Sequence, residues 1–485
     1  MAQLTVQLRE ERLIAPPATT AASRMPLSPV DDIMPRYPVQ QMFVFERPSS
    51  NEEAAIPIDR VHAALVQLVT RVPVLAGRLA LDPGTGRLRV AVDAGVGQEA
   101  GGLLLRDAAT DATLATLRPY RTAGFPVALR GDPMIPAAVH AGTAPAVVIQ
   151  RTGFACGGAT LAIMAHHALV DGPGLGALYR LWTAIAQGRP ADTWPLALAD
   201  RDVLTERSAT TLPDGWTPPA YKVVEPKPPA PTPAPATGPV ALPPMRVVDL
   251  QFEAATLERL KAVALAARSN AESLDLAGDA TFVSLNDALS THIWRLVTRA
   301  RGLATDAPTR LGMAVDARKR FAPPLPVEYT GNVNLYATCA VPAAVLGVQR
   351  DAVAEDVETV DARTLAVAWR VRQAVDELTD ARLRATVGWL ATMPVITSVQ
   401  PSFQGFLGAD LAITNWAQAG LNDADFGTGL PAWTGPGPMA GAFDGLAIFN
   451  ARPGGGYTVV LGLRTDHMDR LLADPLFLRY PATVL

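Results

Sequence analysis

Thiols are nearly missing from this chain: Cys156 and Cys339 are the only two in 485 residues. That is too few for a disulfide framework or a multi-cysteine metal site, and it fits a reducing compartment. No run of about 18 apolar residues occurs, and the N-terminal MAQLTVQLREERLIAPP lacks the apolar centre of a secretory signal. No membrane association is therefore expected, and the cytoplasm is the default location. A dominant charge is missing too. The formal net charge is −4 and the pI about 5.9, giving no general attraction to nucleic acid or to an anionic bilayer. An anionic cofactor would have to meet a local basic patch. Nor is there a GxSxG nucleophile turn or an HExxH pair, and GPGLG at 172–176 matches neither a P-loop nor a dinucleotide fingerprint.

What remains is a globular composition, 49% hydrophobic and 18% charged, in a chain too long for one ordinary core. Two units are expected, residues 1–216 and 246–485. Between them lies TPPAYKVVEPKPPAPTPAPATGPVALPPM (217–245), whose proline content and lack of periodicity predict a semi-rigid crossover linker. The first unit reads as mixed α/β. QMFVFE (Gln41–Glu46), GRLRVAV (Gly86–Val92) and APAVVIQRTGF (Ala144–Phe154) predict strands, and Ile58–Val69 predicts an amphipathic helix. The second unit repeats the mixture, with a helix from Ser284 and strands at LGMAVDARKRF and VNLYATCAV.

Residues able to do chemistry concentrate in ATLAIMAHHALVDGPGLGALYRLWTAIAQG, 159–188. An apolar strand should end at His166 and His167. A helix should follow, with Leu175, Leu178, Trp182 and Ile185 on one face and Gly188 as a left-handed cap. The intervening HHALVDG holds two imidazoles and a carboxylate on a turn. A neutral imidazole is the natural group to take a proton from an attacking hydroxyl and to return one to a leaving group. His167 is the candidate base, His166 a packing neighbour, and Gly172 a position where a missing Cβ permits a tight turn. Asp171 could either hold the imidazole's tautomer or shape the turn. Cys156 is placed in an apolar strand with a structural role, and His62, His140, His292 and His467 read as packing or surface residues. HHALVD offers metal ligands, but no second ligand cluster accompanies it and no metal is expected.

HxxxD at His167–Asp171 and DFGTG at Asp425–Gly429 resemble the paired HxxxD and DFGWG signatures of the BAHD acyltransferases. RVPVLAGRL, DAGVGQEAG, CGG, SLNDALSTHIW, VDARKR, PPLPVEYTGN, ITNW and LRTDHMDRLLAD follow in that family's order, so the resemblance spans nearly the whole chain. Within the superfamily it is similar to the fungal branch that includes trichothecene acetyltransferases. Thr428 departs from the family's tryptophan.

The resemblance implies a chloramphenicol acetyltransferase-like fold: two similar α/β domains, each a mixed β-sheet flanked by helices, with the active-site channel between them. It implies direct acyl transfer from acyl-CoA, expected to be acetyl-CoA, to a hydroxyl of a specialised metabolite such as a terpenoid, by a monomer with no permanently bound cofactor. His167 would be the base and Asp171 a partner of Arg318, with Asp425 as the alternative partner of that arginine. Thr414 and Trp416 of ITNW would serve the substrate and its oxyanion, and Asp425, Gly427 and Gly429 would be structural. ARKR (Ala317–Arg320) is either a phosphate patch for coenzyme A or an ion-pair turn. Two other readings are kept: a condensation-type enzyme using carrier-bound acyl groups, and a non-acylating binding protein on the same scaffold.

Overall fold

Val147–Phe154 and Ala159–His166 are two apolar stretches joined by a four-residue turn, and they pair as the antiparallel hairpin that spacing requires. In the computed structural model, which describes residues 4–48, 55–93, 102–117, 127–129, 139–140, 142–190, 200–209, 211–212, 214–225, 242–326, 328–348, 356–436, 444–452 and 454–485, this hairpin sits inside a six-stranded sheet. Its spatial order is Gln7–Ile14, Leu103–Thr110, Val147–Phe154, Ala159–His166, Pro38–Phe45 and Trp433–Pro436. Every residue of Ala159–His166 is buried, as a central strand covered on both faces demands. Gly157 takes φ +81° in the hairpin turn, where Cys156 is exposed, so this cysteine stands outside the apolar strand expected for it. Both cysteines are free thiols.

A second, seven-stranded sheet runs Asn334–Pro342, Pro308–Asp316, Leu411–Asn415, Leu446–Ala451, Tyr457–Arg464, Met245–Phe252 and Thr483–Val484. Its principal helix is Leu285–Arg301. Ser284 caps it in a reciprocal capping box with Asp287, and Gly302 closes it in the left-handed conformation. The mixed α/β architecture, with two large sheets beside a three-stranded one (Ser23–Pro26, Leu88–Val92, Arg78–Leu81) and a two-stranded one, agrees with the fold class read from the sequence. Among the described residues no helix is long and apolar enough to cross a membrane.

The two sheets do not divide the chain as cleanly as the proline-rich stretch suggests. Trp433–Pro436, far beyond that stretch, is an edge strand of the first sheet and pairs antiparallel with Pro38–Phe45. Ala419, Leu421 and Phe426 join the apolar core beneath the first sheet, while Val30 and Met34 enter the core of the second. Tyr221–Val223, read as aperiodic spacer, pairs with Val399–Pro401. Residues 226–241 of the spacer, and DAGVGQEAG beyond its first residue, lie outside the described residues.

The helix after the histidines runs Gly172–Ala186. Leu175, Leu178, Trp182 and Ile185 are all buried, but so are most of its other residues, and Ala419 comes close against Gly176. A Cβ on Gly176 would lie 1.7 Å from the carbonyl oxygen of Ala419, and one on Gly174 would lie 2.4 Å from that of Thr330. At Gly172 the nearest atom is a ring carbon of Trp416 at 3.2 Å. Backbone therefore excludes a Cβ at both Gly174 and Gly176, while at Gly172 a Cβ would meet the Trp416 ring, which would have to give by a few tenths of an ångström. Helix propensity favours Gly176→Ala by about 1 kcal/mol. Overlap with a backbone atom opposes it, and overpacking of this kind costs about 1–3 kcal/mol. The variant is expected to melt lower than wild type, and a raised melting temperature would refute the close approach.

Candidate active site

Asp171 ends the turn by capping the helix: its Oδ1 accepts from the Gly174 amide at 2.8 Å. The same oxygen accepts from Arg318 Nη2 at 2.8 Å, and Oδ2 accepts from Arg318 Nη1 at 3.1 Å and from the Val333 amide at 2.9 Å. Both oxygens are thus committed away from the His167 ring. Arg318 is 2% exposed and also donates to the carbonyls of Tyr329 and Gly331. Burial pulls its pKa down, and the carboxylates of Asp171 and Asp316 more than reverse this. Of the two partners open to Arg318, the structure pairs it with Asp171.

Asp425 has other work. Its Oδ1 accepts from the amides of Gly427 and Gly429 at 2.7 and 3.0 Å, closing a turn in which both glycines have positive φ. Phe426 packs edge-on against Trp182 with ring centroids 4.7 Å apart, and Gln187 donates to the Asp425 carbonyl. The DFGTG segment fastens the second half of the chain to the helix that follows HxxxD.

His167 lies just past the strand end, its amide donating to the Tyr37 carbonyl at 3.2 Å. Its Nδ1 is 3.2 Å from Asn332 Oδ1, and part of the residue remains accessible. Burial lowers the pKa of this imidazole, outweighing the opposing pull of its own carbonyl, Asp171, Asn332 and Asp31. It is neutral, and so able to accept a proton, at pH 7. His166 differs. It is fully buried, its Nδ1 accepts from the Ala168 amide at 3.2 Å, and its Nε2 lies 3.0 Å from His140 Nε2. Burial and the neighbouring His140 and Arg36 hold its pKa at about 3. Both of its nitrogens are used, which leaves none for a substrate.

Trp416 abuts Gly172 at the helix start, and its amide donates to the Phe449 carbonyl at 2.8 Å. Thr414 sits on the adjoining strand, in register with Ala314 and Ile448. Next to these residues is a cavity of about 520 Å³. Its walls include Pro173 and Arg180 of the helix, Ser284 and Asn286 at the start of Leu285–Arg301, and Lys319, Arg320 and Arg372. Burial, and then the proximity of Arg372, lower the pKa of Arg320 against the opposing pull of Asp376 and Asp287. Within ARKR, Arg318 is an ion-pair partner of Asp171, and Arg318, Lys319 and Arg320 all line the cavity. Asn332, Asp31, Arg180 and Arg372 were not singled out from the sequence. Ser28-x-x-Asp31 could have been noticed as a capping box, and Asn332 ends the quoted PPLPVEYTGN.

A family model described as the Transferase family matches residues 4–477. The chain belongs to the BAHD acyltransferase family. Among curated relatives of this BAHD chain, a hydroxycinnamoyl-CoA:5-hydroxyanthranilate N-hydroxycinnamoyltransferase from Avena sativa is 28% identical over 97% of this chain and 100% of its own. A shikimate O-hydroxycinnamoyltransferase from Nicotiana tabacum is 28% identical over 96% and 98%. Among solved structures, F. graminearum TRI101 complexed with coenzyme A and T-2 mycotoxin superposes with a TM-score of 0.75 at 20% identity, covering 95% of this chain and 99% of that one. The BAHD chain is an acyltransferase.

Burial lowers the pKa of five of the six histidines, His140, His166, His167, His292 and His467. A folded-state pKa below the unfolded value of 6.5 means the unfolded chain takes up protons first, so stability is full above pH 6.5 and falls as pH drops towards the folded values. His166, at about 3, alone removes about 2 kcal/mol by pH 5. The melting temperature is expected to fall between pH 7.5 and 5, and a flat profile over that range would contradict the burial of these rings.

Proposed function

We propose that the chain transfers an acyl group from acyl-CoA directly to a hydroxyl of a small specialised metabolite, with His167 as general base and no acyl-enzyme. The observation that carries this is the neutral, partly accessible His167 on a turn clamped by Asp171 and Arg318, where Arg318 also lines a cavity whose five cationic side chains outnumber its two carboxylates. That charge suits the phosphates of coenzyme A. Arg180, Lys319, Arg320 and Arg372 would pair with them, while Ser284 and Asn286 present the N-terminal end of a 17-residue helix. Thr414 or Trp416 would donate to the thioester oxygen as negative charge develops on it.

The acetyl donor and terpenoid alcohol expected from the sequence form one reading of the substrates. The activities of the curated relatives favour a second, in which the donor is a hydroxycinnamoyl-CoA. The reading extends to a cytoplasmic monomer with domains at 1–216 and 246–485 joined through 217–245, with Trp433–Pro436 exchanged into the first sheet and Tyr221–Val223 of the connection paired with Val399–Pro401.

Free-thiol release decides among these. Acetyl-CoA and p-coumaroyl-CoA would each be offered with shikimate, 5-hydroxyanthranilate and a panel of terpenoid alcohols, with ester and amide products read by mass spectrometry. Acceptor-dependent thiol release with one donor is expected, and its absence with every pair would count against the reading. Arg320→Ala should raise KM for the accepted acyl-CoA about tenfold with little change in kcat, corresponding to about 1.4 kcal/mol of uniform binding.

A further inference from the structure

Asp31 is separated from His167 by more than a hundred residues and is fully buried, yet one side chain connects the two. Its Oδ1 accepts from the Asn332 amide at 2.8 Å and from Asn332 Nδ2 at 2.7 Å. Its Oδ2 accepts from the amide and hydroxyl of Ser28 at 2.9 and 2.8 Å, with Arg201 Nε 3.5 Å away. Arg201 in turn donates to the Leu169 carbonyl at 2.6 Å, inside the His167–Asp171 turn. Asp31 is therefore fixed on every side.

Asn332 Nδ2 has a second acceptor, the His167 carbonyl at 2.8 Å. Turning the amide over would lose both of these bonds and present an oxygen to a carboxylate and a carbonyl. The atom 3.2 Å from His167 Nδ1 is therefore Asn332 Oδ1, which can only accept. A neutral imidazole carries one ring proton, and here Nδ1 must hold it.

We propose that Asn332, oriented by buried Asp31, is a positioning residue that fixes His167 as the Nδ1–H tautomer and so leaves Nε2 as the nitrogen that takes the acceptor's proton. The acceptor hydroxyl gives its proton to Nε2 as its oxygen bonds to the thioester carbon. The imidazolium keeps its Nδ1–H on Asn332 Oδ1. When the C–S bond breaks, the Nε2 proton passes to the leaving sulfur, restoring the neutral ring. The inference rests on the general-base reading of His167, but its first test needs no substrate.

Protein labelled with 15N-histidine, with His167 assigned by difference against His167→Gln, would show which ring nitrogen is protonated at pH 7. The Nδ1–H form is expected, and an Nε2–H form overturns the proposal. In Asn332→Ala the His167 signals should shift towards the Nε2–H tautomer. Free-thiol release from p-coumaroyl-CoA, with water as acceptor, should fall 10- to 100-fold in kcat with KM within threefold. A kcat within threefold of wild type also overturns the proposal. The wild-type spectrum decides the matter even where Asn332→Ala fails to fold. A His167→Ala protein that keeps its rate would instead remove the general-base reading and leave the tautomer result standing.

Discussion

His167→Ala is expected to lower kcat for acyl transfer by about 10²–10⁴-fold, the range lost when a positioned general base is removed. KM for the acyl-CoA should change little, because the cationic walls of the neighbouring cavity belong to other residues. Neither neighbouring titratable side chain among the described residues is placed to substitute. His166 is adjacent in sequence, but both its nitrogens are engaged inside the fold, and Asp171 is committed to Arg318, Gly174 and Val333. The pH profile sharpens the test. Since burial lowers the His167 pKa, the base form persists below pH 6.5, and the acid limb of wild-type kcat/KM must lie below that value. That limb should vanish in His167→Ala. An acid limb at or above 6.5, or the same limb in both proteins, would show that another group takes the proton.

The parts of the site that the sequence revealed are those held together locally. HHALVDG places His167 and Asp171 on one turn because a strand ends and a helix begins within six residues, and Asp171 sits where an N-cap belongs. Arg318 was reachable from its motif, but its choice between Asp171 and Asp425 depended on which turn meets Tyr329 and Gly331 in space. Asn332 is 165 residues from His167 and 301 from Asp31, and no local periodicity encodes such contacts. The same holds for Arg180 and Arg372, which reach one cavity from different halves of the chain. The proline-rich stretch misled in one respect. It marked a change of sheet, whereas Trp433–Pro436 returns to the first sheet and pairs antiparallel with Pro38–Phe45.

The largest stability effect is expected at the clamp beneath the turn. Asp171 and Arg318 are 1% and 2% exposed and form two hydrogen bonds across the pair. Removing one partner of a buried pair leaves the other charge without compensation, a cost of about 3–5 kcal/mol, against about 1 kcal/mol for losing the helix cap alone. Asp171→Ala loses both interactions, and for units of this size its melting temperature should fall roughly 6–20 °C. Asp171→Asn keeps an acceptor for Gly174 and should lose less. The partial compensation left to Arg318 comes from Asp316, whose side chain is 40% exposed and so screened by solvent. Asp171→Asn combined with Arg318→Met removes both charges and is expected to recover part of the loss, giving a coupling that a double-mutant cycle would measure. The alternative role for Asp171, holding the imidazole as a triad carboxylate would, predicts the opposite pattern. In that case Asp171→Asn would melt normally and lose kcat by about 10⁴-fold. A clamp instead predicts a clear loss of melting temperature with a smaller loss of kcat per folded molecule, because both Asp171 oxygens face Arg318 and backbone amides while the His167 Nδ1 faces Asn332.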